Sequence, residues 1–74
     1  MKKYQFNYQK LKGKMVEEKQ NQEKLANKLG IAKTTLNFKL NNKIAFKQDE
    51  IVELIKVLKI PKEEVWNYFF TVNV

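Results

Sequence analysis

The side chains that could do chemistry in this 74-residue chain are few, and their types narrow the chemistry sharply. There is no cysteine and no histidine. Disulfides and thiolate metal sites are therefore excluded, together with the commonest general base, metal ligand and pH switch. The carboxylates Glu17, Glu18, Asp49, Glu50 and Glu53 fall on amphipathic stretches, where a solvated face accounts for them. No glycine-rich loop is present to cradle a phosphate. These features argue against an enzyme and call for no metal, cofactor or small-molecule ligand. What remains is recognition by hydrogen bonding and charge. The stretch KTTLNFKLNNK, residues 33–43, gathers lysine, threonine and asparagine around one exposed-looking aromatic, Phe38.

Charge points the same way. All 15 basic residues are lysines, and the net charge is +7. Residues 1–47 hold 12 lysines against three acids, or +9; residues 48–74 hold three lysines against five acids, or −2. A basic front on a near-neutral back suits a polyanion-facing surface.

The elements that must position these residues are read from apolar spacing. One small domain, residues 1–74, with one modest core is expected. Asn7 is placed as an N-cap with Phe6 and Leu11 as a hydrophobic staple, and Leu11, Met15 and Val16 carry helix 1 over about 8–19. Asn21 caps helix 2, about 22–29, whose inner stripe is Leu25, Ala26 and Leu29. Gly30 stands where a helix C-cap needs a left-handed residue. Leu36 and Leu40 form the inner face of helix 3, about 33–41, which ends at Asn41-Asn42-Lys43. Lys33, Thr34, Asn37 and Phe38 then face outward, flanked by Lys39 and Asn41. Phe46 reads as a core plug in a loop. Ile51, Leu54, Ile55 and Leu58 define helix 4, about 48–59, and Pro61 opens a last short helix that brings Val65, Trp66, Phe69 and Phe70. The sum is an all-α, compact bundle of about five helices. The tail TVNV alternates; it is read either as a short C-terminal β-strand, paired with KYQF or with a second chain, or as a frayed end.

Helices 2 and 3 meet at Gly30 with almost nothing between them. Such a pair projects its second helix from the surface, and the DNA major groove, about 12 Å wide, admits one helix. LANKLGIAKTTLNFKLNNK resembles the helix-turn-helix of the phage-repressor (Cro/CI and Xre-like) superfamily, usually written Q-x-x-L-A-x-x-L-G-I-S-x-x-T-L-S. The continuation NNKIAFKQDEIVELIKVLKIPKEEVWNYFF is similar to the rest of that domain, especially in small phage and prophage Cro-like repressors. The likeness spans about residues 7–70. The chain departs from the pattern at Ala32, where Ser usually caps the recognition helix, at Lys47, where Thr is common, and at Gln20, where an apolar residue is usual.

The resemblance implies a lambda-repressor-like DNA-binding domain. Its positions make Lys33, Thr34, Asn37 and Phe38 base readers. Lysine can donate to guanine O6 and N7, asparagine can pair with adenine, and Phe38 could meet thymine methyls or tuck sideways into the core. Gln22, at the start of helix 2, becomes a phosphate contact, as do Lys39, Asn41, Lys43 and Lys47. Lys2, Lys3 and Lys10 suggest an N-terminal arm. The absence of arginine implies modest specificity per base and hence a homodimer on two half-sites. Phe70 and Val72 are the interface candidates, whereas Trp66 is assigned to the core. The expected role is a sequence-specific transcriptional regulator, a Cro-like repressor binding operator DNA in the cytoplasm of a bacterial host, complete from Met1. The alternative is a protein-binding module, an antirepressor or antitoxin, acting through the C-terminal aromatics.

Overall fold

The computed structural model describes residues 4–73; Lys2 and Lys3 of the expected arm lie outside them. Five α-helices follow one another: α1 Gln9–Glu17, α2 Gln22–Leu29, α3 Lys33–Leu40, α4 Gln48–Val57 and, after a 3₁₀ turn at Lys62–Glu64, α5 Val65–Phe69. The all-α bundle expected from the spacing is present: α2 matches its expected span, α3 and α4 start where expected and end one and two residues early, and α1 starts one residue late and ends two early.

Each boundary has a local cause. Asn21 Oδ1 accepts from the Lys24 amide at 2.8 Å and starts α2. Gly30 ends it at φ 71°, in the left-handed region, and the Ile31 amide returns to the Ala26 carbonyl at 3.0 Å. α3 starts at Ala32 without a side-chain cap. It closes as Asn42 turns left-handed at φ 64° and the Lys43 amide bonds back to the Phe38 carbonyl at 2.8 Å. α4 starts on half a capping box: the Glu50 carboxylate accepts from the Lys47 amide at 2.8 Å, and an ammonium has no lone pair with which to reciprocate. α1 starts one residue late, with Tyr8 at the N-cap position and Asn7 Oδ1 accepting from the Gln9 amide at 3.0 Å.

The core is built from Leu11, Met15, Leu25, Ala26, Leu36, Leu40, Leu54, Leu58, Ile60 and Phe69, all buried, with the rings of Tyr8 and Tyr68 beside them. Phe46 plugs the loop before α4, half-buried and edge-on to Tyr8 at 5.5 Å and to Phe69 at 6.2 Å. Two assignments need correction. Val16 is 76% exposed, because α1 shows the core only the Leu11–Met15 row. Trp66 is 69% exposed: α5 spans five residues, and its inward side is taken by Tyr68 and Phe69.

Among the described residues of the tail, 71–73, there is no strand. Val72 makes a single antiparallel bridge to Phe6, flanked by Asn7 N–H to Thr71 carbonyl at 2.7 Å and Asn73 N–H to Gln5 carbonyl at 2.8 Å. Phe6's own polar groups face the other way. Its N–H donates to Asn42 Oδ1 at 2.7 Å, and its carbonyl accepts from Asn42 Nδ2 at 2.8 Å. One side-chain amide thus stands in for a neighbouring strand and ties the tail ribbon to the end of α3.

Candidate nucleic-acid interface

α2 and α3 pack on each other, joined by the turn Gly30–Ala32, so α3 turns one face to Leu25 and Ala26 and the other to solvent. On the outer face Lys33, Thr34 and Asn37 are exposed, and Phe38 is 40% exposed. Phe38 therefore sits between the two placements open to it, its ring partly covered and its outer edge in solvent.

A chain of amides crosses from α2 to the end of α3. Asn37 Nδ2 donates to Gln22 Oε1 at 3.3 Å, while Asn41 Nδ2 donates to the Asn37 carbonyl at 2.8 Å and to Asn37 Oδ1 at 3.3 Å. These contacts hold the Asn37 amide in one plane. They also leave this exposed amide one N–H and one oxygen lone pair. That donor–acceptor pair is what a bidentate contact to adenine N6 and N7 uses. Gln22, at the first position of α2, is half-buried beneath Asn37. The exposed Glu23 stands next to it and opposes any anion at that helix start.

The lysines divide into committed and uncommitted. Lys33, Lys43 and Lys47 are exposed and make no ion pair among the described residues. Lys39 corrects the expectation of a phosphate contact: it is 3% exposed and its ammonium meets Glu50 Oε1 at 2.5 Å. Position 39 lies three residues from Leu36, so its stem falls along the inner face, and the charge is turned inward to a carboxylate 11 residues on. Lys10 is also committed. It bonds Glu64 Oε1 at 2.8 Å and lies 5.0 Å above the Tyr68 ring. The hydrogen bond to Glu64 raises the Lys10 pKa, and the same bond holds Glu64 below the ordinary carboxylate value. Lys10 is thus part of the α1–α5 seam, not of an arm.

Two residues have structural roles beside this surface that sequence reasoning did not assign: Asn42, and Glu50, which was read as part of a solvated face but is 7% exposed because it receives Lys39. Asn42 carried a signal, a second asparagine at a helix end. For Glu50 the capping-box position was visible, but not its partner Lys39.

Elsewhere the surface is apolar. Tyr4, Phe6, Phe70 and Trp66 run edge to edge, with centroids 6.5, 6.5 and 5.3 Å apart along the row. Tyr4, Phe6 and Phe70 border an apolar groove of about 290 Å³ that also reaches Ile44 and Phe46. Residues 4–9 and 65–73, which build this side, contain no charged residue. Among the described residues, no group of three or more acidic side chains could hold a metal ion, and no helix is long and apolar enough to cross a membrane.

No curated protein matches the chain by sequence. Among solved structures, it is similar to the solution structure of the modulator of repression (MOR) of the temperate bacteriophage TP901-1 from Lactococcus lactis. The identity is 34%, the TM-score 0.72, and the match covers 88% of each chain. Residues 4–72 match the model described as protein of unknown function (DUF739), and the chain belongs to that family.

Proposed function

We propose that this member of the DUF739 family is a small phage-type regulator of transcription that binds double-stranded operator DNA with α3 in the major groove, in the manner of Cro-like repressors. The observation that carries this reading is the Gln22–Asn37–Asn41 amide chain, which holds the exposed Asn37 amide on the same helix-turn-helix segment that carries the exposed, unpaired lysines 33, 43 and 47. Lys33, Thr34, Asn37 and the outer edge of Phe38 read bases; Gln22, Asn41, Lys43 and Lys47 hold the backbone. Lys39 is absent from the contact set because it is spent on Glu50. Binding as a homodimer on two half-sites compensates for the missing arginine. Regulation proceeds by occupancy of DNA in a bacterial host cytoplasm, with no catalytic step and no cofactor. The similarity to a phage modulator of repression supports the regulatory setting.

A second reading has its own observation. Trp66 lies on Phe70 in an uncharged patch while 69% exposed, a surface suited to another protein. In that reading the chain modulates a repressor by contact rather than by occupying DNA.

The deciding experiment is a titration into labelled duplexes tiling the intergenic DNA beside its own gene, with random duplex as control, at several salt concentrations. Two lysine–phosphate contacts per protomer, from Lys43 and Lys47, predict a log–log salt slope of about −2 per protomer. One duplex should bind ~10³-fold more tightly than random DNA. Lys33→Ala and Asn37→Ala should each weaken that preference. Equal, weak binding to every duplex would sink the DNA reading and leave the protein-contact one.

A further inference from the structure

α3 and α4 both rest on α2, and the side-chain hydrogen bond that joins them directly, among the described residues, is the one between Lys39 and Glu50. It is an unusual joint. Lys39 is 3% and Glu50 7% exposed. The same carboxylate oxygen, Oε1, takes the Lys39 ammonium at 2.5 Å and the Lys47 amide at 2.8 Å. One atom therefore touches the last turn of α3 and the first residue before α4. No buried side-chain polar atom is left without a partner among the described residues, so each charged group of the joint has at least one.

We propose that Glu50 is a positioning residue for the DNA-facing surface, with Lys39 as its counter-charge, setting the angle of α3 and the start of α4 from one point. This deepens the regulator reading and rests on it for the identity of the ligand. Stability alone is a poor reason for the joint, because two apolar residues in its place usually fold as well or better. Direction is a better one. Besides the exposed Asn37–Gln22 hydrogen bond at 3.3 Å, the anchors of α3 are Leu36 and Leu40, and apolar contacts of that kind tolerate rotation and sliding. A satisfied ion pair does not. α3 also lacks a side-chain cap at Ala32, so nothing polar at its own start fixes its heading. The residues that depend on the heading are Lys33 and Asn37 on α3 and Lys47 at the joint itself.

The test compares K39M/E50L, which removes the joint and its buried charges together, with E50Q, which keeps an acceptor at the same place. Four quantities are read: urea stability, exchange protection of the Lys47 amide, the orientation of α3 from residual dipolar couplings, and the ratio of intergenic to random-duplex affinity. K39M/E50L is expected to match wild-type stability, to lose roughly tenfold in Lys47 protection, to show a turned α3, and to lose roughly tenfold in the affinity ratio while random-duplex binding holds. E50Q is expected to be less stable yet to keep the ratio. A K39M/E50L protein with α3 and the ratio unchanged would overturn the proposal. So would one that fails to fold, since the pair would then be a stability element. If α3 turns and Lys47 opens in K39M/E50L but no duplex is ever preferred over random DNA, the positioning role stands and the DNA reading falls.

Discussion

Asn42 offers the sharpest energetic prediction. Its amide makes two bonds to the Phe6 backbone, at 2.7 and 2.8 Å, while its own backbone sits at φ 64°. These two facts separate by substitution. Asn42→Gly loses both bonds and keeps the left-handed turn at ease. Each bond is worth about 1 kcal/mol net, and water can reach the half-buried site, so the loss is about 2 kcal/mol. Asn42→Ala loses the same bonds and keeps a Cβ in the left-handed region without the short polar side chain that lets asparagine tolerate it, which adds about 1 kcal/mol. A domain of this size holds about 4–11 kcal/mol in all. With a urea slope of about 1 kcal/mol/M, the midpoint should fall by about 2 M for glycine and about 3 M for alanine. Urea unfolding followed by circular dichroism measures both. A glycine variant within about 0.5 kcal/mol of wild type would refute the clamp. Equal losses for glycine and alanine would refute the backbone part alone.

Other substitutions test the helix starts and the surface pair. Ala32→Ser places a hydroxyl where α3 has no cap and should add about 1 kcal/mol, raising Tm by about 4–8 °C in a thermal melt. Glu64 is held below the ordinary carboxylate value by its hydrogen bond from Lys10, so its contribution is full above that ordinary value and fades as pH falls through the lowered one. The stability gap between wild type and Glu64→Gln should therefore close as pH is taken from about 7 to about 3. Lys10 is raised by the same bond, so its contribution persists below its ordinary value and is lost only at more alkaline pH, and that gap should not change near neutrality. A gap that widened on acidification would contradict the pairing.

What could be read from the sequence was what depends on near neighbours. Asn21, Gly30 and the Leu36–Leu40 row are local signals, and each sits where its type and spacing demand. The alternation of TVNV also pointed to KYQF, although the described part of the tail, residues 71–73, makes one bridge and no strand. Misplacements arose where long-range partners decide. Lys39 is buried because Glu50 receives it, and nothing near position 39 announces that. Trp66 faces water because α5 is short and offers more bulky residues than its inner side can take; spacing alone did not choose between Trp66 and Tyr68. Asn42 looked like a residue that tolerates a left-handed turn, and it is one. Its side-chain bonds depend on a residue 36 positions away. Of the outward residues read from the spacing, Lys33, Thr34 and Asn37 are exposed together beside Gln22.

The Phe6 ribbon also imposes an order in time. Asn42 can clamp Phe6 once the chain has been made as far as α3, but the opposite edge of Phe6 waits for Val72, which is 66 residues later (72 minus 6). During synthesis the α2–α3 pair, being local, can form first, and the loop behind α3 is then held from one side only. The second side closes on the stretch carrying Trp66 and Phe70, so the aromatic patch and the finished α3 loop come into existence in the same step. A nascent chain stalled before residue 72 would show its second helix pair folded while Phe6 still lacked one of its two neighbours.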